Sequence, residues 1–367
     1  MAKMKAIRYY GKKDIRLDMI DEPQIKPGWV KIAPAYVGIC GTDLHEYLGG
    51  NNLIPAPGCP HGITGETSPL TLGHEFSGVI EEVGEGVTDL QHGRNVCVQP
   101  TIYCNDCPAC KRDLPNCCSW GGGLSEHVVV PRPAVWPLPN SVPLEIGALV
   151  EPLSVGYHAV SIAPIPHPIP AGLPILVLGG GPIGLAVIQA ILAQSASPDN
   201  PPQIIVSEPS TARSNFAQQF GAHHIINPIT TDLYTAILDL TSNHLCAIAF
   251  DCAGTQSSLD AALRCIRPRS TVVNIAVWEN RATLDMNEIV FRERSYMGVA
   301  TFSNTDFGEV LKRIDEGRIK PKGMITRRIK MGEREVVEEG FRALIEEKDS
   351  QVKVLVEVGG EGAGKKK

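Results

Sequence analysis

The sequence predicts a two-part α/β chain: a β-rich portion joined to a doubly wound parallel sheet. Three observations point to it. Short β-rich runs broken by Gly and Pro fill the chain up to about residue 165. Residues 163–174 carry five prolines and read as a connector, since proline interrupts both helices and central strands. Beyond them, strands and helices alternate, the pattern of a parallel sheet covered on both faces.

The first portion offers β-runs at 30–37, 76–83, 95–99 and 127–130, suited to a partly open barrel or sandwich. In the second, Pro174–Leu178, Gln203–Ser207, His224–Ile226, 247–251 and 271–275 read as strands. Segments 183–194, 212–220, 234–240 and 256–266 read as the helices between them, and 295–299 as a further strand. The remainder, with a helix at 307–316 and a β-rich end at 352–358, need not belong to that sheet.

At 367 residues the chain can bury two cores, and 43% hydrophobic with 20% charged residues is ordinary for a globular protein. A formal net charge of -6 gives no reason to expect nucleic acid or an anionic membrane as partner. With no apolar run of spanning length and no signal-peptide core, the expected location is cytoplasmic. Lys365 to Lys367 follow a Gly-rich stretch and read as a solvated tail.

A strand at 175–178 runs directly into Gly179-Gly-Gly-Pro-Ile-Gly184 and then into an apolar helix. This is G-x-G-x-x-G where strand turns to helix. Gly179 permits the tight turn, Gly181 lets backbone amides approach a pyrophosphate, and Gly184 lets the helix pack on the sheet. Pro182 and Ile183 open the helix, whose positive end faces the phosphates. The next strand ends at Glu208, where a carboxylate accepts from both ribose hydroxyls and repels a 2′-phosphate, so NAD is expected over NADP. Arg213 is either a partner for such a phosphate or a helix-surface residue over the adenine.

Eleven cysteines are many where disulfides are rare, and five of them fall between Cys104 and Cys118. Cys104, Cys107, Cys110 and Cys118 can close a tetrahedron around Zn²⁺ with no open position, a structural site. Cys117 competes as the fourth ligand, and iron–sulfur ligation or free thiols are the alternatives. A second set is dispersed. Cys40-Gly-Thr-Asp-Leu-His45 reads as a Gly-bounded loop, Gly73-His-Glu75 precedes a β-run, and Glu151-Pro152 opens an apolar segment. Together they offer a thiolate, an imidazole and a carboxylate, which suits a catalytic Zn²⁺ keeping one position for water or substrate.

With these motifs the chain resembles the zinc-containing medium-chain dehydrogenases over nearly its whole length, and within them the polyol branch of sorbitol and butanediol dehydrogenases. The markers are Cys40-Gly-Thr-Asp-Leu-His45, Gly73-His-Glu-Phe-Ser-Gly78, the cysteine loop, Val150-Glu-Pro-Leu-Ser-Val155 with His158-Ala159, and the Gly179–Gly184 turn. Asp251-Cys-Ala-Gly254 and Asn274-Ile-Ala-Val-Trp-Glu279 look most like the butanediol enzymes. The resemblance implies a GroES-like catalytic domain over 1–163 and 303–367, with an NAD-binding Rossmann domain over 164–302. It implies Cys40 and His74 as zinc ligands, with either Glu75 or Glu151 completing the shell. It further implies Thr42 relaying the alcohol proton through the nicotinamide ribose to His45, and a homo-oligomer, dimer or tetramer.

The function expected is hydride transfer between NAD and the secondary alcohol of a vicinal diol, with one catalytic and one structural zinc. A sorbitol- or xylitol-type polyol dehydrogenase or another alcohol dehydrogenase is the neighbouring reading, and a non-catalytic nicotinamide-binding sensor or structural protein the reading from another class. Three features depart from the family pattern. Gly93-Arg94 stands where Gly-Asp is usual, 195–202 is a longer loop, and Cys118-Ser-Trp-Gly-Gly-Gly123 is about ten residues shorter than usual beside the pocket.

Overall fold

The computed structural model describes residues 2–62, 65–101, 103, 106–107, 110–112 and 124–359. The chain divides into two compact units, Met1–Glu151 with Met324–Lys367, and Pro152–Gly323. These limits differ from the expected 163/164 and 302/303, and local packing explains why. An added Cβ at Gly156 would lie 2.8 Å from the Ala186 side chain, so 152–163 packs on the helix Pro182–Ala193. At the other end the Lys320 N–H donates to Gln189 Oε1 at 3.0 Å, which keeps 303–323 on the same helix.

The first unit is built from strands Lys3–Gly11 (β1), Asp14–Asp21 (β2), Trp29–Gly38 (β3), Leu70–Thr71 (β4), Glu75–Val83 (β5), Asn95–Val98 (β6), Val128–Pro131 (β7) and Val135–Pro137 (β8). A three-stranded sheet runs β2-β1-β4. The β1–β2 hairpin closes between Gly11 and Asp14, with Lys13 at φ 57°, in place of the Asn-Gly or Asp-Gly that marks such turns in sequence. The larger sheet pairs β3 with β5 antiparallel, Gly38 opposite Glu75. Buried Val30, Ile32, Val37, Phe76, Ile80, Val96 and Val98 form its core, each full burial stabilising by about 1.5–3 kcal/mol.

The second unit holds strands Pro174–Leu178 (β9), Gln203–Ser207 (β10), His224–Ile226 (β11), Cys246–Asp251 (β12), Ile266–Asn274 (β13) and Ser295–Gly298 (β14). All pair in parallel, in the order β11-β10-β9-β12-β13-β14. That is the doubly wound dinucleotide order, reversing between β9 and β12. Every residue of β9 is buried, as a strand covered on both faces requires. The chain then returns to the first unit as Ile325–Lys330 (β15) and Lys353–Glu357 (β16), with β16 antiparallel to β3. This gives the first unit its GroES-like, β-rich character and leaves the Rossmann sheet inserted between its two segments.

One local expectation is corrected. Residues 40–45 are not a loop: Gly41–Gly49 is a helix with Cys40 as its N-cap. The Asp43 carboxylate accepts the Cys40 N–H at 2.9 Å, which satisfies an N-terminal donor and starts the helix despite its glycine. Among the described residues no helix is long and apolar enough to cross a membrane.

Candidate functional site

The β3–β5 pairing builds the metal-binding candidate. Cys40 follows the end of β3, and His74 and Glu75 stand at the start of β5, so the Gly38–Glu75 register brings them together. The Cys40, His74 and Glu75 ligand atoms all lie within 4.8 Å of one another. Two glycines make the room. A Cβ at Gly38 would collide with the Glu75 carboxylate, and one at Gly73, at φ 83°, would lie 2.6 Å from Leu124. His74, Glu75 and Glu151 are buried, Glu151 in the first turn of the helix Val150–Ser161.

Two residues that sequence reading missed complete this environment. Lys353, on β16 and 2% exposed, places its Nζ 2.7 Å from both Glu75 oxygens and donates to the Ile39 carbonyl at 3.3 Å. Burial acts to lower the Lys353 pKa, but the Glu75 carboxylate bonded to it outweighs that and holds the ammonium above its ordinary value. Asp43, besides capping the helix, has an oxygen 3.8 Å from His74 Nδ1, close enough for charge interaction though longer than a hydrogen bond.

Charge decides what this cluster can hold. Burial, with Glu75 nearby, pushes the Cys40 thiol up to about 12. Burial also raises Asp43, against the pull of His74. It drives Glu151 well above the carboxylate range, with Glu75 and Cys40 adding to the rise and His74 opposing it. The neighbouring ammonium, Lys353, is already engaged by Glu75. A thiol, an imidazole and carboxyls in want of a positive charge are the donor set a Zn²⁺ ion fits, and its binding would release their protons.

On the same helix, Thr42 Oγ1 lies 3.6 Å from Cys40 Sγ. His45 is three residues further on, along the same face, and half-buried. In the cysteine loop, Cys107 and Cys110 approach to 3.6 Å between sulfurs, while Cys104, Cys117 and Cys118 lie outside the described residues.

The dinucleotide candidate stands in the second unit. Gly179 sits at φ 97°, and a Cβ at Gly184 would collide with the Gly179 carbonyl, so the turn closes only on glycine. Pro182 is the first residue of the following helix and Ile183 the second, with Gly181 as N-cap. Glu208 is buried, and its Oε2 accepts the Gly180 N–H at 2.6 Å and its Oε1 the Ser210 N–H at 2.8 Å. A carboxylate oxygen has a second lone pair, so each keeps capacity for a ribose hydroxyl. The Arg213 guanidinium lies against the turn, with Nη1 3.6 Å from where a Gly181 Cβ would be.

Known proteins show the same organisation. Residues 26–140 match the alcohol dehydrogenase GroES-like domain and 182–316 the zinc-binding dehydrogenase domain. The (R,R)-butanediol dehydrogenase of Neisseria gonorrhoeae is 38% identical over 366 residues, 96% of this chain and 99% of that protein. That of Bacillus subtilis is 38% identical over 358 residues, with the same coverage. The crystal structure of 2R,3R-butanediol dehydrogenase from Bacillus subtilis aligns with a TM-score of 0.87, covering 97% of this chain and 100% of that one. A catalytic GroES-like unit with an inserted Rossmann unit defines an oxidoreductase of the alcohol dehydrogenase type. The chain belongs to the zinc-dependent medium-chain dehydrogenases.

Proposed function

We propose that this enzyme oxidises a secondary alcohol of a vicinal diol, 2,3-butanediol to acetoin, with NAD as hydride acceptor, and catalyses the reverse reduction. The observation that carries the metal-dependent part is the Cys40–His74–Glu75 group, with the buried Glu151 carboxyl under its electrostatic influence and the nearby ammonium already engaged. Cys40 and His74 would hold the zinc. Glu75 is clamped by Lys353 through both oxygens, which leaves Glu151 as the carboxyl free to join the shell or hold a water there. Zinc, when bound, supplies a Lewis acid that makes an alcohol acidic near neutral pH. Thr42 would hydrogen-bond the alcohol and relay its proton, releasing its own as it takes up the alcohol's, toward His45, which would pass it outward. The four-cysteine loop would hold a second, structural zinc, and the enzyme would act as a dimer or tetramer.

The butanediol relatives and the carboxyl-rich metal site support a diol, because a buried group left unpaired by a simple alcohol discriminates strongly against it. The specificity constant for 2,3-butanediol is expected to exceed that for 2-butanol. A preference for 2-butanol over every vicinal diol tested would defeat the diol reading and leave zinc–NAD chemistry standing.

Glu208 supports NAD as the cofactor. Glu208→Ser is expected to weaken NAD by about 1.5–3 kcal/mol, the contribution of hydrogen bonds to a charged group. The same variant should improve NADP, with Arg213 beside the turn to meet its phosphate. A wild-type enzyme that prefers NADP contradicts this assignment of Glu208.

A further inference from the structure

Asp251 ends β12 with no exposed surface, and it joins two loops. Its Oδ1 accepts the N–H groups of Ala253 at 3.0 Å and Gly254 at 3.3 Å, and its Oδ2 accepts the Ser258 hydroxyl at 3.2 Å. Its backbone carbonyl accepts the N–H groups of Ile275 at 3.0 Å and Ala276 at 3.3 Å, just after β13. The two loops touch: Gly254 sits at φ 64°, and a Cβ there would lie 2.8 Å from the Ala276 side chain. The first loop also abuts the glycine turn, where a Gly179 Cβ would lie 3.4 Å from Ala253. Asn274 continues the bracing, donating to the Ala276 carbonyl at 3.1 Å and accepting the Trp278 indole N–H at 3.0 Å. Burial raises the Asp251 carboxyl above its ordinary value, against the pull of these donors.

The strand order reverses between β9 and β12, and a dinucleotide lies across such a reversal with one mononucleotide on each half. Glu208 stands at the end of β10, on the adenosine half. The loops after β12 and β13 therefore border the other half. We propose that Asp251 is a positioning residue for the nicotinamide half of the cofactor, holding the backbone of Ala253, Gly254 and Ala276 on which that half rests. The inference builds on the reading of the glycine turn as a nicotinamide dinucleotide site.

Calorimetric titration of the full chain with AMP and with NAD tests it, because AMP occupies the Glu208 half alone. Asp251→Ala leaves buried N–H groups without an acceptor and is expected to weaken NAD about tenfold or more. AMP affinity should stay within about twofold, showing that the unit is folded. Asp251→Asn, whose Oδ1 still accepts both N–H groups, should keep most of the NAD affinity. Gly254→Ala, which forces the loop against Ala276, should repeat the loss, and it carries the same comparison if Asp251→Ala does not fold. Equal weakening of AMP and NAD, or unchanged NAD in Asp251→Ala and Gly254→Ala, overturns the inference. A wild-type chain that binds neither nucleotide overturns the dinucleotide reading along with it.

Discussion

Replacing Cys40 with Ser or His74 with Ala is expected to lower alcohol oxidation by about three orders of magnitude or more, since metal stabilisation of transition-state charge supplies several kcal/mol. The variants should still bind NAD, because the glycine turn and Glu208 belong to the other compact unit. Serine keeps the size of Cys40 but loses the soft thiolate that zinc favours. Alanine removes the His74 imidazole and leaves Asp43 without the neighbour that offsets its burial. Metal analysis on the same preparations should show one zinc fewer per chain. A variant that has lost one zinc and still turns over at the wild-type rate rules out this site as the catalytic one.

The second large effect is on stability. Lys353→Met should destabilise the protein by about 3–5 kcal/mol, because removing one partner of a buried ion pair leaves the other charge uncompensated. Glu75 is fully buried and has both oxygens on Lys353, so water reaches the carboxylate only if the β3–β16 pairing opens. At 2–4 °C per kcal/mol for a unit of this size, the melting temperature should fall by about 10 °C. Combining Lys353→Met with Glu75→Gln should recover much of the loss, as neutralising both partners removes the stranded charge. An unchanged melting temperature in the single variant would show that the pair does not hold this part of the sheet together.

The nucleotide unit was largely legible in the sequence, because its signals are local. Strands β9 to β12 are short, mostly apolar runs, and the glycines at 179 and 184 stand where a positive φ or a close carbonyl leaves no place for a side chain. The metal site was legible as a set of ligand types but not as an arrangement. Nothing in the sequence distinguishes Glu75 from Glu151, and the ion pair of Lys353 with Glu75 comes only with the placement of β16. A lysine among the valines of β16 reads as solvent-facing, since lysine is rarely buried, and only the two-step pairing of β16 with β3 and β3 with β5 brings it to Glu75. Asp43 was hidden for another reason. Its segment begins with glycine and looks like a loop, and the cap that makes it a helix is a bond from its own side chain to Cys40. The β1–β2 hairpin escaped notice because Lys12 and Lys13 fill a turn that normally announces itself with Asn or Gly.

The most direct measurement of metal-dependent diol oxidation is a zinc-return experiment. The protein is dialysed against a chelator, its NAD affinity is confirmed, and oxidation of 2,3-butanediol is followed by NADH absorbance as zinc is added back. The expected result is loss of oxidation with NAD binding intact, then recovery as zinc returns. Undiminished oxidation by the zinc-free protein would contradict the assignment of the Cys40–His74 site.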